Sequence, residues 1–541
     1  MGFITASREQ PLLFAYSIDE FVPAEAKCRF VAKLVGELDL RRLYCDYSDQ
    51  GGAAYDPGIL LAVWFFAYSE GVTSTRELEQ RCLRDLHFIY VSANLRPDHC
   101  SLSRFRKRHL ALLPELFVQI VRLAKSRGVS DFRRICIDGT RLKANASAGK
   151  SLNAAGLDKA LEDVRAEIGE YLQQCDLADE DSAAAADEAE AGRRLAELRR
   201  LEQVYEERKR QLEERRARLW HQNREGHRIN TTDPEALSMK RVNGVRGVPG
   251  YNGQASVDAG SGLIVAAEAL AAGNDAGQFS AQHRQVEETL GADPERSYTA
   301  DAGYHSLTEL EYIEAAGVDA VIADPRPEWR SPAAAERVPS VPEGERPFER
   351  ADFLYDAAAD EYVCPAGQRL PFRRVWTDRH GEARRVYGRS CRGCGCVARC
   401  MKGDPAWRGY KRIFRDVREA LAEKMLAKAR SPAGEERMHQ RFGVSEPVFG
   451  NLKENLGFRG VRLRSLLSVK GEFLLMCIGH NLNRLARLLG RAGRGRDSNG
   501  SPASLGPVSW AEAFVGLFLH RLLCFPEEAH VPAGTAFHAA A

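Results

Sequence analysis

The chain has 541 residues, enough for about two to four domains and at least one sizeable core. With 28% charged and 44% hydrophobic residues it has an ordinary globular composition, and its thirteen cysteines are too scattered for a secreted disulfide scaffold. Its 77 basic and 75 acidic residues give a net charge of +2, so the total says little about partners and the distribution says more.

Basic residues crowd Arg104, Arg106, Lys107 and Arg108, then the stretch Arg208 to Arg224, then Lys411, Arg412 and Arg415. Basic stripes on a nearly neutral chain suit a protein that grips a polyanion while staying soluble. No apolar run approaches the roughly 20 residues a bilayer span needs. The N-terminus lacks a basic region followed by an apolar one. A cytoplasmic protein with reduced thiols and no membrane partner is expected.

From Ser17 to Leu123 the apolar spacing is helical, with Phe30, Leu34, Val35 and Leu38 on one stripe and Leu60, Val63, Trp64 and Ala67 on another. Ser74 and Glu77 read as a capping box. Ser101 opens a further helix with its basic residues near the start, so Arg104, Lys107 and Arg108 are candidate DNA contacts. A plain helical packing domain fits this segment equally well. We set this helical domain at residues 1–128.

The apolar strand Ile135-Cys136-Ile137 ends at Asp138, before a Gly-Thr turn. An excursion rich in Ala, Glu, Arg and Leu follows, in which Leu198, Tyr205, Leu212 and Leu219 recur at heptad spacing. Residues 151–225 are therefore expected to form a helical hairpin or short coiled coil, with the acidic patch 177–190 as its loop. Strands resume at Tyr251–Asp258 and Leu263–Ala267 around a Gly-rich turn. A helix over Ala281–Leu290, a strand ending at Asp301, a helix over Leu307–Ala315 and a strand over Val318–Ala323 complete the series. With the excursion removed, this order is that of a ribonuclease-H-like α/β core, assembled from residues 129–150, 226–325 and 430–490.

Residues 326–429 form a second insertion, rich in Pro, Arg and Cys, with short strands such as Arg373–Trp376. Cys391-x2-Cys394 is a metal-knuckle spacing, and with Cys364 and Cys400 it can close a tetrahedral structural Zn²⁺ site, leaving Cys396 spare. Free or redox thiols are the other reading. Closing helices run to Leu489, and residues 491–541 read as a flexible tail, with one further helix over Trp510–Leu523.

Taken singly, Asp138 and Asp301 are common turn formers, and Glu446 is a good helix-start residue between Ser445 as N-cap and Pro447 in the first turn. Together they are more informative. The strands ending at Asp138 and Asp301 are expected to be neighbours, and the helix bearing Glu446 can cross their edge. Carboxylates gathered in this way need cations to neutralise them, and oxygen-only ligands suit two Mg²⁺ or Mn²⁺ ions.

The blocks Ile137–Thr140, Tyr251–Ala255, Asn274–Gln278, Ala300–Tyr304 and Glu446–Lys453 resemble the DDE transposases of bacterial insertion sequences. The likeness is to the subgroup with a helical N-terminal domain and a cysteine-bearing insertion, and runs from about residue 10 to 490. The resemblance implies Asp138, Asp301 and Glu446 as the metal-binding triad. It also implies strand cleavage at the element's terminal inverted repeats and transfer into target DNA. Lys453 is then placed to contact a DNA phosphate, with a solvated surface lysine as the plain alternative. Pairing two DNA ends implies a homodimer on DNA.

Relatives often carry a Tyr-x2-Arg-x3-Glu-x6-Lys arrangement, whereas here His439 and Phe442 occupy the Tyr and Arg places. Arg441, one residue away, is the candidate substitute as a DNA contact. Gln278 and Asn274 are read as orienting groups, a helix cap being the other role for Asn274, and His305 as a donor behind Asp301. The runner-up functions are a nuclease without strand transfer and an inactive or repressor-like DNA-binding protein.

Overall fold

The computed structural model describes residues 17–47, 54–178, 188–217, 226–239, 247–325, 346–377, 381–401 and 409–492. The expected helix over 510–523, the tail and most of the acidic loop 177–190 lie outside the described residues.

The N-terminal region is helical, and its centre is the helix α1 (Pro57–Ser69), buried on nearly all sides. Asp56 starts it by accepting from the Gly58 and Ile59 N–H groups, with Pro57 at the first helical position where no N–H is needed. Ser74 caps the helix Thr75–Arg84 as expected, by accepting from the Glu77 N–H. The basic helix α2 (His99–Arg108) begins earlier than its sequence suggests. Asp98 caps it through Cys100 and Ser101, so Arg106, Lys107 and Arg108 stand in its last turn, where they complement the helix dipole. Arg106 is buried there, donating to the Tyr68 hydroxyl and Thr73 carbonyl and lying over the Trp64 ring.

The α/β region is built on strands β1 (Arg134–Lys143), β2 (Val248–Asp258), β3 (Ile264–Leu270), β4 (Ser297–Ala300) and β5 (Asp319–Ile322). Their order is β3-β2-β1-β4-β5, with β1 antiparallel to β2 and parallel to β4, and β4 parallel to β5. A short strand Leu237–Met239 extends the start of β2. Order and direction are consistent with the ribonuclease-H-like expectation. Between β1 and β2, helices α3 (Ala154–Ala178) and α4 (Glu188–Ala217) lie antiparallel, as Lys209–Asp158 at one end and Arg194–Glu167 at the other require. Leu157, Leu212 and Ile229 form their small core.

After β3, α5 (Phe279–Leu290) leads to β4 and α6 (Leu307–Ala316) leads to β5. The cysteine-bearing segment forms its own antiparallel sheet of β6 (Leu354–Asp356), β7 (Glu361–Val363), β8 (Arg369–Thr377), β9 (Ala383–Ser390) and β10 (Tyr410–Asp416), in sequential order around Phe353, Tyr362, Leu370, Tyr387 and Ile413. The chain then returns through α7 (Glu419–Ala429), α8 (Pro432–Gly450) and α9 (Leu466–Ala492).

Helix α9 ties the helical region to the sheet. A Cβ on Gly479 would lie 2.6 Å from the Tyr68 carbonyl oxygen, so the close approach of α9 to α1 requires glycine. On its other side Asn481 pairs with both backbone groups of Ile264 on β3 (2.9 and 2.7 Å). One continuous apolar core runs from the N-terminal helices through the sheet to α9, so residue 128 marks no break in packing. Among the described residues no helix is long and apolar enough to cross a membrane.

His480 locks α9 to the turn following α8. Its Nε2 faces the Gly262 carbonyl (3.0 Å) and so carries the proton, leaving Nδ1 to accept from the Asn451 amide (3.0 Å). Burial holds its pKa down to about 4, with Arg484 and Arg487 adding to the effect. A depressed histidine contributes stability that is complete above its unfolded pKa near 6.5 and is lost as pH falls toward 4. Urea unfolding between pH 7 and 4.5 is expected to show a loss of about 2 kcal/mol from this histidine, and His480→Gln should flatten that part of the profile.

Candidate functional site

Asp138 does not end its strand. β1 runs five residues further, through Lys143, paired with β2, so the expected Gly-Thr turn is absent. What ends is the parallel neighbour: Ile137 pairs with Ala300, the last residue of β4, and Asp301 follows at once. The two acids therefore sit side by side where β4 leaves the sheet, at the carboxyl end of the parallel pair, where open α/β sheets commonly bind ligands. Asp301 caps a short 3-10 turn by accepting from the Gly303 N–H (2.9 Å).

Asp138 accepts from the Gly139 N–H (2.8 Å) and from Arg441 Nη1 (3.0 Å). Burial raises its pKa. Arg441 and the Gly139 N–H oppose that rise, while the charges of Asp301 and Asp275 add to it. The last of these is an acid that the sequence reading left without a role.

Asp275 accepts from the side-chain amides of Asn252 (2.8 Å) and Gln254 (2.6 Å). The Tyr304 hydroxyl donates to Gln254 Oε1, which fixes that amide's orientation. Two glycines make room for the carboxylate. A Cβ on Gly139 would collide with Asp275 Oδ1, and one on Gly303 would lie 3.1 Å from Asp275 Oδ2 and 3.0 Å from Asp301 Oδ1. Tyr304 is fully buried, and burial with the charges of Asp275, Asp138 and Asp301 holds its phenol protonated. Asp138, Asp275 and Asp301 thus form one electrostatic cluster.

Glu446 lies on α8, which packs over β1 and β4. This helix starts thirteen residues before Ser445, at Pro432, where Ser431 caps it through the Gly434 N–H (3.1 Å). Ser445 is therefore no N-cap, and Pro447 sits inside the helix. The misreading has a physical source, because Ser431-Pro432 and Ser445-Glu446-Pro447 carry the same start signal. The buried side of α8 is drawn by Arg441, Ser445, Val448 and Phe449, and Glu446 projects from its flank, exposed and without an ion-pair partner among the described residues. Lys453 follows in a wider π-type turn, Asn451–Asn455, half-buried. Burial lowers its pKa, Asp138 and Glu454 raise it, and Arg141 lowers it, so Lys453 faces the acid cluster electrostatically.

The other expected contacts fall differently. Arg441, expected on DNA, is buried and paired with Asp138. His305 lies 3.6 Å from Asp324. Asn274 is exposed and caps nothing, although its carbonyl accepts from Asn252 (3.2 Å), and Gln278 takes the N-cap position of α5 without a side-chain bond. Arg104, Lys107 and Arg108 are exposed on α2, with Arg108 stacked on Tyr47 at 5.1 Å.

In the small sheet the Cys394 N–H donates to the Cys391 carbonyl (3.2 Å), and the Gln368 N–H points at Cys364 Sγ (3.3 Å). Burial raises the Cys400 thiol, Lys411 opposes this, and Cys391 and Cys364 are close enough to add to it. Cys396 stands at the N-cap of the Val397–Cys400 turn. Among the described residues, no three His, Cys, Asp or Glu side chains are drawn into a ready metal cage.

Two family models match the chain. One, described as a transposase DDE domain, covers residues 363–486, and the other, described as a transposase domain (DUF772), covers residues 16–108. The first includes the cysteine cluster, Arg441, Glu446 and Lys453 but not Asp138 or Asp301. No curated protein matches.

Proposed function

Because the chain belongs to the insertion-sequence DDE transposases, we propose that it cuts DNA at the ends of its element and joins them to a target, with Asp138, Asp301 and Glu446 as the essential acids. The observation that carries this reading is the register of β1 and β4, which sets Asp138 beside Asp301 at the point where the parallel pair ends. Transposases act on DNA, and DDE domains generally use divalent cations.

The donor set fits Mg²⁺ or Mn²⁺. It offers oxygen ligands only, from aspartates whose mutual repulsion a cation would relieve. Asp138, Asp301 and Glu446 would hold two such ions, and when bound these supply Lewis-acid polarisation of the phosphate and a more acidic attacking water. The chain's own groups do the rest. Asp275, fixed by Asn252 and Gln254, adds negative charge beside Asp138 and so strengthens the cluster's hold on a cation. Arg441 balances Asp138 from the protein side and holds α8 over the sheet. Lys453 is the group for the DNA phosphate. Cleavage breaks a phosphodiester with water as nucleophile and frees a 3′-hydroxyl, which then attacks a target phosphodiester and displaces its 3′-oxygen.

We assign Cys364, Cys391, Cys394 and Cys400 to a structural zinc, because the Cys391–Cys394 turn and the N–H pointing at Cys364 have the form of a thiolate knuckle. Joining two ends calls for two copies of the chain on DNA, and Arg104, Lys107 and Arg108 on α2 are a second DNA-contacting set.

The test is incubation of end-bearing DNA and a target with the purified chain and Mg²⁺. Cutting followed by joining is expected. Cutting without joining would indicate a nuclease, and binding without cutting a repressor-like protein.

A further inference from the structure

The small sheet has a face turned away from its own core. In β8, β9 and β10 alternate residues point to opposite sides. Phe372, Tyr387 and Ile413, in register across the three strands, mark the inner side, where Tyr387 and Ile413 are buried. A β-bulge between Phe372 and Arg374 shifts the parity of β8, so the opposite face carries Arg374 and Trp376 on β8, Arg384 on β9, and Tyr410, Arg412 and Phe414 on β10.

The three aromatic residues on this outer face are 38%, 40% and 42% exposed. Trp376 and Phe414 meet edge to face with centroids 5.7 Å apart, reaching across β9, whose Val386 stands between Arg374 and Phe414 and is buried. Tyr410 lies over Gly388, where a Cβ would come within 2.7 Å of its ring, and the Arg412 guanidinium stands 5.5 Å from the Tyr410 centroid. The rings are thus held by neighbours yet open to solvent. Arg374, Arg384 and Arg412 have no carboxylate partner among the described residues, and the acid of the same parity, Asp416, is paired with Arg418 (3.1 Å).

Exposed large rings mark an interaction surface. Three unpaired arginines between them disfavour an apolar protein partner, which would leave those charges buried, and favour a polyanion. Rings presented on a sheet stack with bases only where the bases are unpaired. We infer that this face binds a single-stranded segment of DNA, with bases on Trp376, Phe414 and Tyr410 and phosphates on Arg374, Arg384 and Arg412. The inference rests on the DNA-cutting reading above and adds a third contact surface to the acid site and the basic helix α2.

The test measures fluorescence anisotropy of a labelled oligothymidine and of a duplex of equal length with the full chain. Trp376→Ala with Phe414→Ala is expected to weaken single-strand binding about tenfold or more, with a smaller effect on the duplex. Trp376→Phe with Phe414→Tyr should restore it, and Arg384→Gln with Arg412→Gln should reduce its salt dependence. Unchanged single-strand affinity would overturn the inference, as would equal losses on strand and duplex. So would a change of oligomeric state with oligonucleotide affinity unaltered, since the face would then join copies of the chain. Binding is read without turnover. A chain that cuts DNA but ignores loss of both rings refutes this inference alone. A chain that binds as expected but never cuts refutes the proposed function alone.

Discussion

Asp301→Asn is expected to lower the rate of Mg²⁺-dependent cleavage by on the order of 10³-fold or more, with folding and DNA affinity close to those of the parent chain. The substitution is chosen on structural grounds. Asp301 caps the turn at Gly303 through an oxygen that asparagine retains, so the loop can keep its shape while losing a charge. Asp138→Ala is a poorer probe. It would strand the buried Arg441 guanidinium, whose Nε already lacks a partner among the described residues, at a cost of about 3 kcal/mol or more. A fall in activity there would mix lost chemistry with lost stability, and a urea melt of the two variants separates the effects.

The second large effect is expected at a residue outside the three essential acids. Asp275→Asn keeps an oxygen for the Asn252 and Gln254 amides but removes the charge beside Asp301 and Asp138. Removal of this charge beside the metal-binding acids should cost about 10–100-fold in cleavage, with a matching loss of affinity for Mn²⁺ measured by calorimetry. Gly139→Ala offers an independent route to the same defect, because its Cβ would collide with Asp275 Oδ1 and push that carboxylate from its two amides. If both variants cut at the parent rate, Asp275 is a structural turn residue and its place in the cluster is incidental.

Much of this site was legible in the sequence because strands carry their order in their apolar runs. Ile135-Cys136-Ile137 and the run ending at Ala300 were recognisable as buried strands, and a parallel pairing of the two brings Asp138 to Asp301. The start of α8 is ambiguous in sequence because Ser431-Pro432 and Ser445-Glu446-Pro447 both read as helix starts, and the Ser431 cap and the buried contact of Arg441 with Asp138 show that the helix already exists before Pro447. Arg441 was read as a DNA contact because spacing along a helix does not say which face is covered. Asp275 carries no role in the sequence pattern, although its block does. Its meaning comes from amides on β2, more than twenty residues away in sequence, and from two glycines whose absent side chains leave it room. The signal was present in Asp138-Gly139 and Asp301-Ala302-Gly303, where each acid is followed by residues that clear space. The outer face of the small sheet was likewise half visible, since Arg374-Val375-Trp376 alternates but its partners on β10 appear only through the register.

Glu446 is the acid on which the account depends most, because it stands exposed on the flank of α8 with no ion-pair partner among the described residues. The most direct test compares cleavage of end-bearing DNA in Mg²⁺ by the parent chain and by Glu446→Gln at equal occupancy of DNA. A loss on the order of 10³-fold with binding retained is predicted. Cleavage by Glu446→Gln at the parent rate would show that this carboxylate takes no part in the reaction.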